Sequence, residues 1–181
     1  MHIRTARVHD AAAIAKVHVE SWRTTYKGIV PDDFLAGLSY AQREPMWHQI
    51  LTNPVSPSYV YVAADDRGQV VGFVSGGPER SGDTVYTGEL YAIYLLARYQ
   101  GQGIGWQLVH TLVSRLRQEG MITLLLWVLA ENPARRFYER LGGRPVYEKT
   151  VTIGGVPLLE VAYGWLDSHT IIEQPGPPQP I

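Results

Sequence analysis

The chain has 181 residues, 45% of them hydrophobic, which is enough for one globular domain with a sizeable core and leaves little for a second. Its 16 basic and 17 acidic residues are well mixed and sum to a formal net charge of −1, so no electrostatic footprint for nucleic acid or an anionic membrane is present. Cysteine is absent, which excludes disulfides, thiolate metal sites and a cysteine acyl-enzyme, and the six histidines show no metal-ligand spacing, so no metal is expected. The start carries no apolar signal region and no apolar run reaches membrane-spanning length, which makes the cytoplasm the expected location.

Residues 2–7 read as a first strand. Asp10 is placed to cap a helix whose Ile14, His18 and Trp22 form one stripe and which ends near Gly28. Pro31 opens a second helical region through Phe34, Leu35 and Leu38, continuing past Gly37 to Trp47, Ile50 and Leu51 until Asn53-Pro54 stops it. Residues 59–64 and 70–75 are apolar, β-branched strands joined by the turn Asp65-Asp66-Arg67-Gly68. A loop over 76–88 leads to a strand over 89–96. A helix over 104–118 follows, with Ile104, Leu108, Leu112 and Leu116 on its apolar stripe. Residues 122–129 are apolar throughout most of their length, as in a strand buried on both faces. Asn132 as N-cap and Pro133 at the first helical position begin a short helix ended by Gly142. Two strands around Gly154-Gly155 complete a domain over residues 1–167. Residues 168–181, proline-rich with few core formers, read as a flexible or polyproline-like tail.

The most informative run is Gln100-Gly101-Gln102-Gly103-Ile104-Gly105, a glycine-rich turn between a strand and a helix start. Amides at a helix N-terminus lack intrahelical partners and sit at the positive end of the helix dipole, and glycines remove the Cβ atoms that would obstruct an anion. A P-loop would need Lys then Ser or Thr after the last glycine, whereas Trp106 and Gln107 stand there. A dinucleotide fingerprint would need a third glycine at the place of Trp106. What remains is the pattern Gln/Arg-x-x-Gly-x-Gly/Ala, matched by Gln100, Gly103 and Gly105. Downstream, Asn132-Pro133-Ala134-Arg135-Arg136-Phe137-Tyr138-Glu139-Arg140-Leu141-Gly142 is similar to Asn-x-x-Ala/Ser-x-x-Phe-Tyr-x-x-x-Gly-Phe. The two motifs in this order resemble the GNAT superfamily of acyl-CoA N-acyltransferases. The second departs from the pattern in its Pro133-Ala134 and in Gly143, where an aromatic residue often stands.

The resemblance implies an α/β (α+β) domain with a mixed, mostly antiparallel central sheet of about seven strands, flanked by about four helices, whose central strands splay. It implies acetyl-CoA as co-substrate. Main-chain groups of Tyr94, Leu95 and Leu96 would pair with the pantetheine arm like an added strand. The amides of Gln100, Gly101, Gln102, Gly103, Ile104 and Gly105 would meet the pyrophosphate. Gln102 stands where relatives often carry a basic residue, so backbone and dipole would supply most of that grip. Asn132 would hydrogen-bond the pantetheine arm or its ordered water.

Acetyl transfer to an amine needs a base, because an amine with a pKa of about 10.4 is mostly protonated, and benefits from an acid near a thiolate whose parent thiol has a pKa of about 8.5. From the residues alone, Glu89 reads either as a solvated strand-end carboxylate or as a base, and Tyr138 either as a packing tyrosine or as an acid. The resemblance implies Glu89 as general base and Tyr138 as general acid at the coenzyme sulfur. With no cysteine, direct attack in a ternary complex is the simpler course. The acceptor, a small-molecule or peptide amine, would lie against the first two helices and loop 76–88, with Trp22, Tyr26, Tyr40 and Trp47 as aromatic walls and Glu20, Asp32 or Asp33 to attract a cation. A homodimer is compatible with the resemblance. Two alternatives stand beside this reading: a non-catalytic acyl-CoA-binding module, and an enzyme with a longer acyl donor or a hydroxyl acceptor.

Overall fold

In a computed structural model that describes residues 1–53, 58–174 and 176, seven strands form one sheet. They are β1 (His2–Thr5), β2 (Tyr59–Ala64), β3 (Val70–Pro78), β4 (Gly88–Leu95), β5 (Leu124–Leu129), β6 (Arg144–Ile153) and β7 (Val156–Trp165), in the order β1-β2-β3-β4-β5-β7-β6. Every neighbouring pair is antiparallel except β4 and β5, which are parallel. A parallel pair needs a crossover. It is supplied by α4 (Ile104–Gln118).

The remaining helices are α1 (Ala11–Thr25), α2 (Asp32–Ala36), α3 (Tyr40–Thr52), α5 (Arg135–Arg140) and α6 (His169–Glu173). Among the described residues six helices thus stand where about four were expected. One reason is the break at Gly37, which divides the second helical region into α2 and α3. The other is α6. The expected loose tail from Ser168 does not hold for residues 168–173: Ile171 is fully buried in the cluster under α4, the Ser168 hydroxyl donates to the Ile122 carbonyl at 2.7 Å, and Arg117 pairs with Asp167 at 2.6 Å. Proline content masked one short apolar segment whose burial holds it in place. The prolines at 175, 177, 178 and 180 lie outside the described residues.

The alternation of β2 divides the core. Val60 and Val62 face α1 and α3, where they pack with Ile14, Val17, Trp47 and Phe73. Tyr59, Tyr61 and Ala63 face the cluster under α4, with Leu108, Leu112, Leu126 and Tyr163. Two caps differ from expectation. Asp10 is the N-cap residue of α1, as expected, but its carboxylate makes no capping bond and is held instead by Arg4 at 2.7 and 2.9 Å and by the Arg7 amide, and the Arg4 guanidinium keeps it below the usual carboxylate range. Asn132 and Pro133 lie in a turn before α5, whose N-cap is Ala134. Asn132 nevertheless accepts the Ala134 amide at 2.9 Å, an Asx-type turn that leads into the helix.

Candidate active site

The parallel pairing of β4 with β5 lasts only from Gly88 to Leu90 against Leu124 to Leu126. Beyond it the strands part, β4 staying on β3 and β5 on β7. The sheet is therefore split at its centre. A cavity of ≈ 850 Å³ follows the split, lined by β4, the glycine turn, the start of α4 and the segment around α5. A second cavity of ≈ 470 Å³ shares Tyr26, Leu90, Tyr91, Tyr94, Trp127 and Val128 with the first.

The glycine turn is built for main-chain contact. Gly101 and Gly103 have φ of 74° and 78°, the left-handed region that a Cβ disfavours, and Gly103 is the N-cap of α4. Gln107 is the first residue of the helix start whose amide finds an acceptor, the Gly103 carbonyl at 3.1 Å. The amides from Gly101 to Trp106 have no protein acceptor among the described residues. A diphosphate fits such a cradle, since these donors are unpaired, lie at a helix N-terminus, and have open space where a Gly101 side chain would be. Gln100 departs from this set. Its amide is committed to the Ala97 carbonyl at 3.1 Å, and its side chain donates to the Leu95 carbonyl at 3.1 Å. Of the turn residues, Gln100, Gly101, Gly103 and Gly105 line the larger cavity, whereas Gln102, whose side chain folds back to the Arg98 carbonyl, and Ile104, buried in the core, do not.

On β4 the strand's alternation corrects the list of free groups. The Leu96 amide donates to the Val71 carbonyl at 3.0 Å, so Leu96 and, two residues earlier, Tyr94 direct their main chain to β3. Ile93 and Leu95 direct theirs into the split. The Leu95 carbonyl is already an acceptor for Ser21 Oγ at 3.2 Å and for Gln100, which leaves the Leu95 amide and the main chain of Ile93 as the exposed edge. Ile93 was missed because a one-residue change in register exchanges the two sides of a strand.

The two proton-handling candidates take separate places. Tyr138 lines the larger cavity, and its hydroxyl has no hydrogen-bond partner among the described residues; burial pushes it well above the ordinary tyrosine range, so it stays protonated. Glu89 lines the smaller cavity, and its carboxylate is gripped by Arg80. Arg80 Nε donates to one oxygen at 3.0 Å and Nη2 to the other at 2.5 Å, with the Arg80 amide at 3.2 Å. The guanidinium also lies 3.9 Å over the Tyr91 ring. Across the split, Lys149 lies 3.8 Å over Trp127 and pairs with Glu160 at 3.5 Å. Two ring-backed cations thus border the smaller cavity.

Of the expected acceptor walls, Trp22 and Tyr26 line that cavity. Trp47 is core, donating its indole N–H to His18 Nδ1 at 3.2 Å, and Tyr40 is exposed and bonded to Glu20. Glu20 also pairs with Arg23, and Asp32 and Asp33 sit in the exposed first turn of α2. Arg80, Lys149 and Glu160 escaped the sequence reading because their importance depends on strands remote in sequence. Among the described residues no cluster of three or more His, Asp or Glu side chains could hold a metal.

The sequence matches the Acetyltransferase (GNAT) family over residues 19–143. It is 44% identical over 165 residues to the uncharacterized N-acetyltransferase YuaI of Bacillus subtilis, covering 91% of this chain and 92% of that one. It is also 25% identical to the L-amino acid N-acyltransferase MnaT of Escherichia coli, over 92% and 90% of the two chains. Among solved structures, YncA of Salmonella typhimurium with its cofactor acetyl-CoA superimposes with a TM-score of 0.69 at 23% identity, covering 99% of this chain and 98% of that one. The chain belongs to the GNAT acetyltransferase family, and it is an N-acetyltransferase.

Proposed function

We propose that the protein moves the acetyl group of acetyl-CoA to the primary amine of a small acceptor by direct attack in a ternary complex, and that the acceptor also carries a carboxylate. The observation that carries this reading is the row of unpaired amides from Gly101 to Trp106 at the cavity that opens where β4 and β5 part. Diphosphate belongs at such a row, and an amide-bearing arm can add to the free edge of Ile93 and Leu95. Acetyl-CoA supplies the activated acyl group. Tyr138, on the coenzyme side, holds a hydrogen at the leaving sulfur. Glu89, on the acceptor side, receives the amine proton. Because Arg80 occupies both of its oxygens, that proton arrives on a remaining lone pair, directly or through water.

The bond from nitrogen to the carbonyl carbon forms first and the carbon–sulfur bond then breaks, one proton leaving the amine for Glu89 and one passing from Tyr138 to the thiolate, with Tyr138 reprotonated from solvent. The carboxylate on the acceptor is supported by Arg80 and Lys149, the two cations of a cavity sized for a small molecule. The name of MnaT, an L-amino acid N-acyltransferase, points the same way. The test is thiol release from acetyl-CoA with a panel of L-amino acids, followed by product mass. Acceptor-dependent release with an N-acetylamino acid as product is expected. Saturable acetyl-CoA binding without release for any amine would identify a coenzyme-binding module instead. An ester product or a preference for longer acyl donors would reassign the reaction.

A further inference from the structure

Polar side chains line the junction of the two cavities. The Trp22 indole nitrogen can only donate, and it does so to the Tyr94 hydroxyl at 2.9 Å. The Tyr94 hydroxyl neighbours that of Tyr26. On the other side, Asn132 accepts the Ala134 amide through its side-chain oxygen, so the atom 3.2 Å from the Tyr26 oxygen is its nitrogen, which donates. Tyr26 therefore receives a hydrogen from Asn132. No hydrogen bond donated by the Tyr26 hydroxyl itself is formed among the described residues.

Position narrows the destination of that hydrogen. Tyr138 lines only the larger cavity, whereas Tyr26 lines both and so stands where donor and acceptor meet. Tyr91 also lines both, but its hydroxyl is spent on the Pro78 carbonyl at 2.6 Å. We propose that Tyr26 is a further catalytic residue, whose hydroxyl donates a hydrogen bond to the carbonyl oxygen of the acyl group as negative charge develops there. The inference rests on the acetyl-transfer reading above. As the amine nitrogen bonds to carbon, the carbonyl electron pair moves to oxygen and meets the Tyr26 hydrogen. When the pair returns, the carbon–sulfur bond breaks, and the hydrogen stays on Tyr26 throughout. The incoming hydrogen bond from Asn132 polarises this O–H group. Burial raises the pKa of both tyrosines, but the neighbouring Tyr94 and Asn132 offset part of that rise for Tyr26.

The probe is acetyl-CoA with an isotope-labelled carbonyl, bound to the whole protein and observed by infrared difference spectroscopy. Tyr26→Phe should move the carbonyl band to higher frequency, and a ring-fluorinated tyrosine at position 26, a stronger donor of the same shape, should move it lower. Tyr138→Phe should leave it in place. With an acceptor from the L-amino acid panel, Tyr26→Phe should slow single-turnover transfer about a hundredfold, as loss of an oxyanion donor does. Bound acetyl-CoA whose band ignores both Tyr26 variants would overturn the assignment while leaving acetyl transfer intact. Wild-type protein that does not bind acetyl-CoA would overturn the acetyl-transfer reading and, with it, this one.

Discussion

The cavities proposed for the coenzyme side and the acceptor side of the split sheet differ in the groups they present. On the coenzyme side the groups that point into the cavity are largely main chain, the unpaired amides at the start of α4 and the free edge of β4. The acceptor side is built from side chains that answer one another across distant elements, Arg80 with Glu89 and Tyr91, and Lys149 with Glu160 and Trp127. A main-chain site tolerates many side chains provided the backbone can adopt its shape. A side-chain site can change its ligand through substitutions that leave the fold alone.

The largest expected difference between the sides is in their response to acid. The amide cradle has no titrating group, whereas α1, which backs the acceptor side, buries His18 against Tyr94 and Trp47. Burial first, and Arg43 second, lower the His18 pKa from 6.5 to about 4. The unfolded chain therefore takes up a proton near pH 6.5 that the folded chain refuses until about pH 4. The stabilisation is complete above pH 6.5 and is lost as pH falls from there to about 4, by about 3 kcal/mol in all. Denaturant titrations across this range should show the decline, and His18→Phe should flatten it. An equally steep decline in the variant would remove His18 from the account.

Next in size is the residue at the coenzyme end of the junction. Tyr138→Phe should lower the acetyl-transfer rate about a hundredfold, about 2.7 kcal/mol, while acetyl-CoA affinity measured by calorimetry stays within about twofold. Equal losses in rate and affinity would make Tyr138 part of the grip and blur the division between binding by backbone and chemistry by side chains.

The same division decides what a sequence reveals. Gly101 and Gly103 betray the cradle because a left-handed backbone and a bare helix start demand glycine in any surroundings. Strand count, the turn at residues 65–68 and the stripe of α4 follow from local periodicity in the same way. Arg80 shows no such signature. It is one basic residue in a polar loop until the register of β3 against β4, Pro78 opposite Gly88, brings it to Glu89. Ile171 was hidden for a related reason, since one apolar residue beside prolines says nothing of the groove on α4 that buries it. Gln100 was misplaced because its motif position does not disclose that its own amide closes the preceding turn.

Changes within the glycine turn sharpen the main-chain half of the comparison. Gly103→Val places a β-branched residue at a φ of 78°, a conformation that costs about 1–2 kcal/mol or more for an L-residue. Acetyl-CoA affinity should fall about tenfold or more as the turn relaxes away from it. Gln102→Ala, which removes a side chain that does not line the cavity, should change affinity less than about twofold. Calorimetry on both variants separates the cases. A large loss for Gln102→Ala would mean that a side chain shares the grip.

The smallest predicted effect tests the acceptor half. Lys149 is about half exposed and its partner Glu160 lies 3.5 Å away, so their ion pair is screened by water and contributes at most about 1 kcal/mol to stability. Lys149→Met keeps an apolar chain over Trp127 and removes only the charge. Stability should therefore hold. For an L-amino acid acceptor, KM should rise about two- to fivefold, the equivalent of 0.5–1 kcal/mol for a charge contact at a cavity rim. For the decarboxylated analogue of the same amino acid, KM should stay the same or fall, because the lost cation no longer repels an ammonium group. The two acceptors thus share a nitrogen nucleophile and differ in one anion. If both KM values rose together, Lys149 would be shaping the cavity instead of reading the carboxylate, and carboxylate recognition would rest on Arg80 alone.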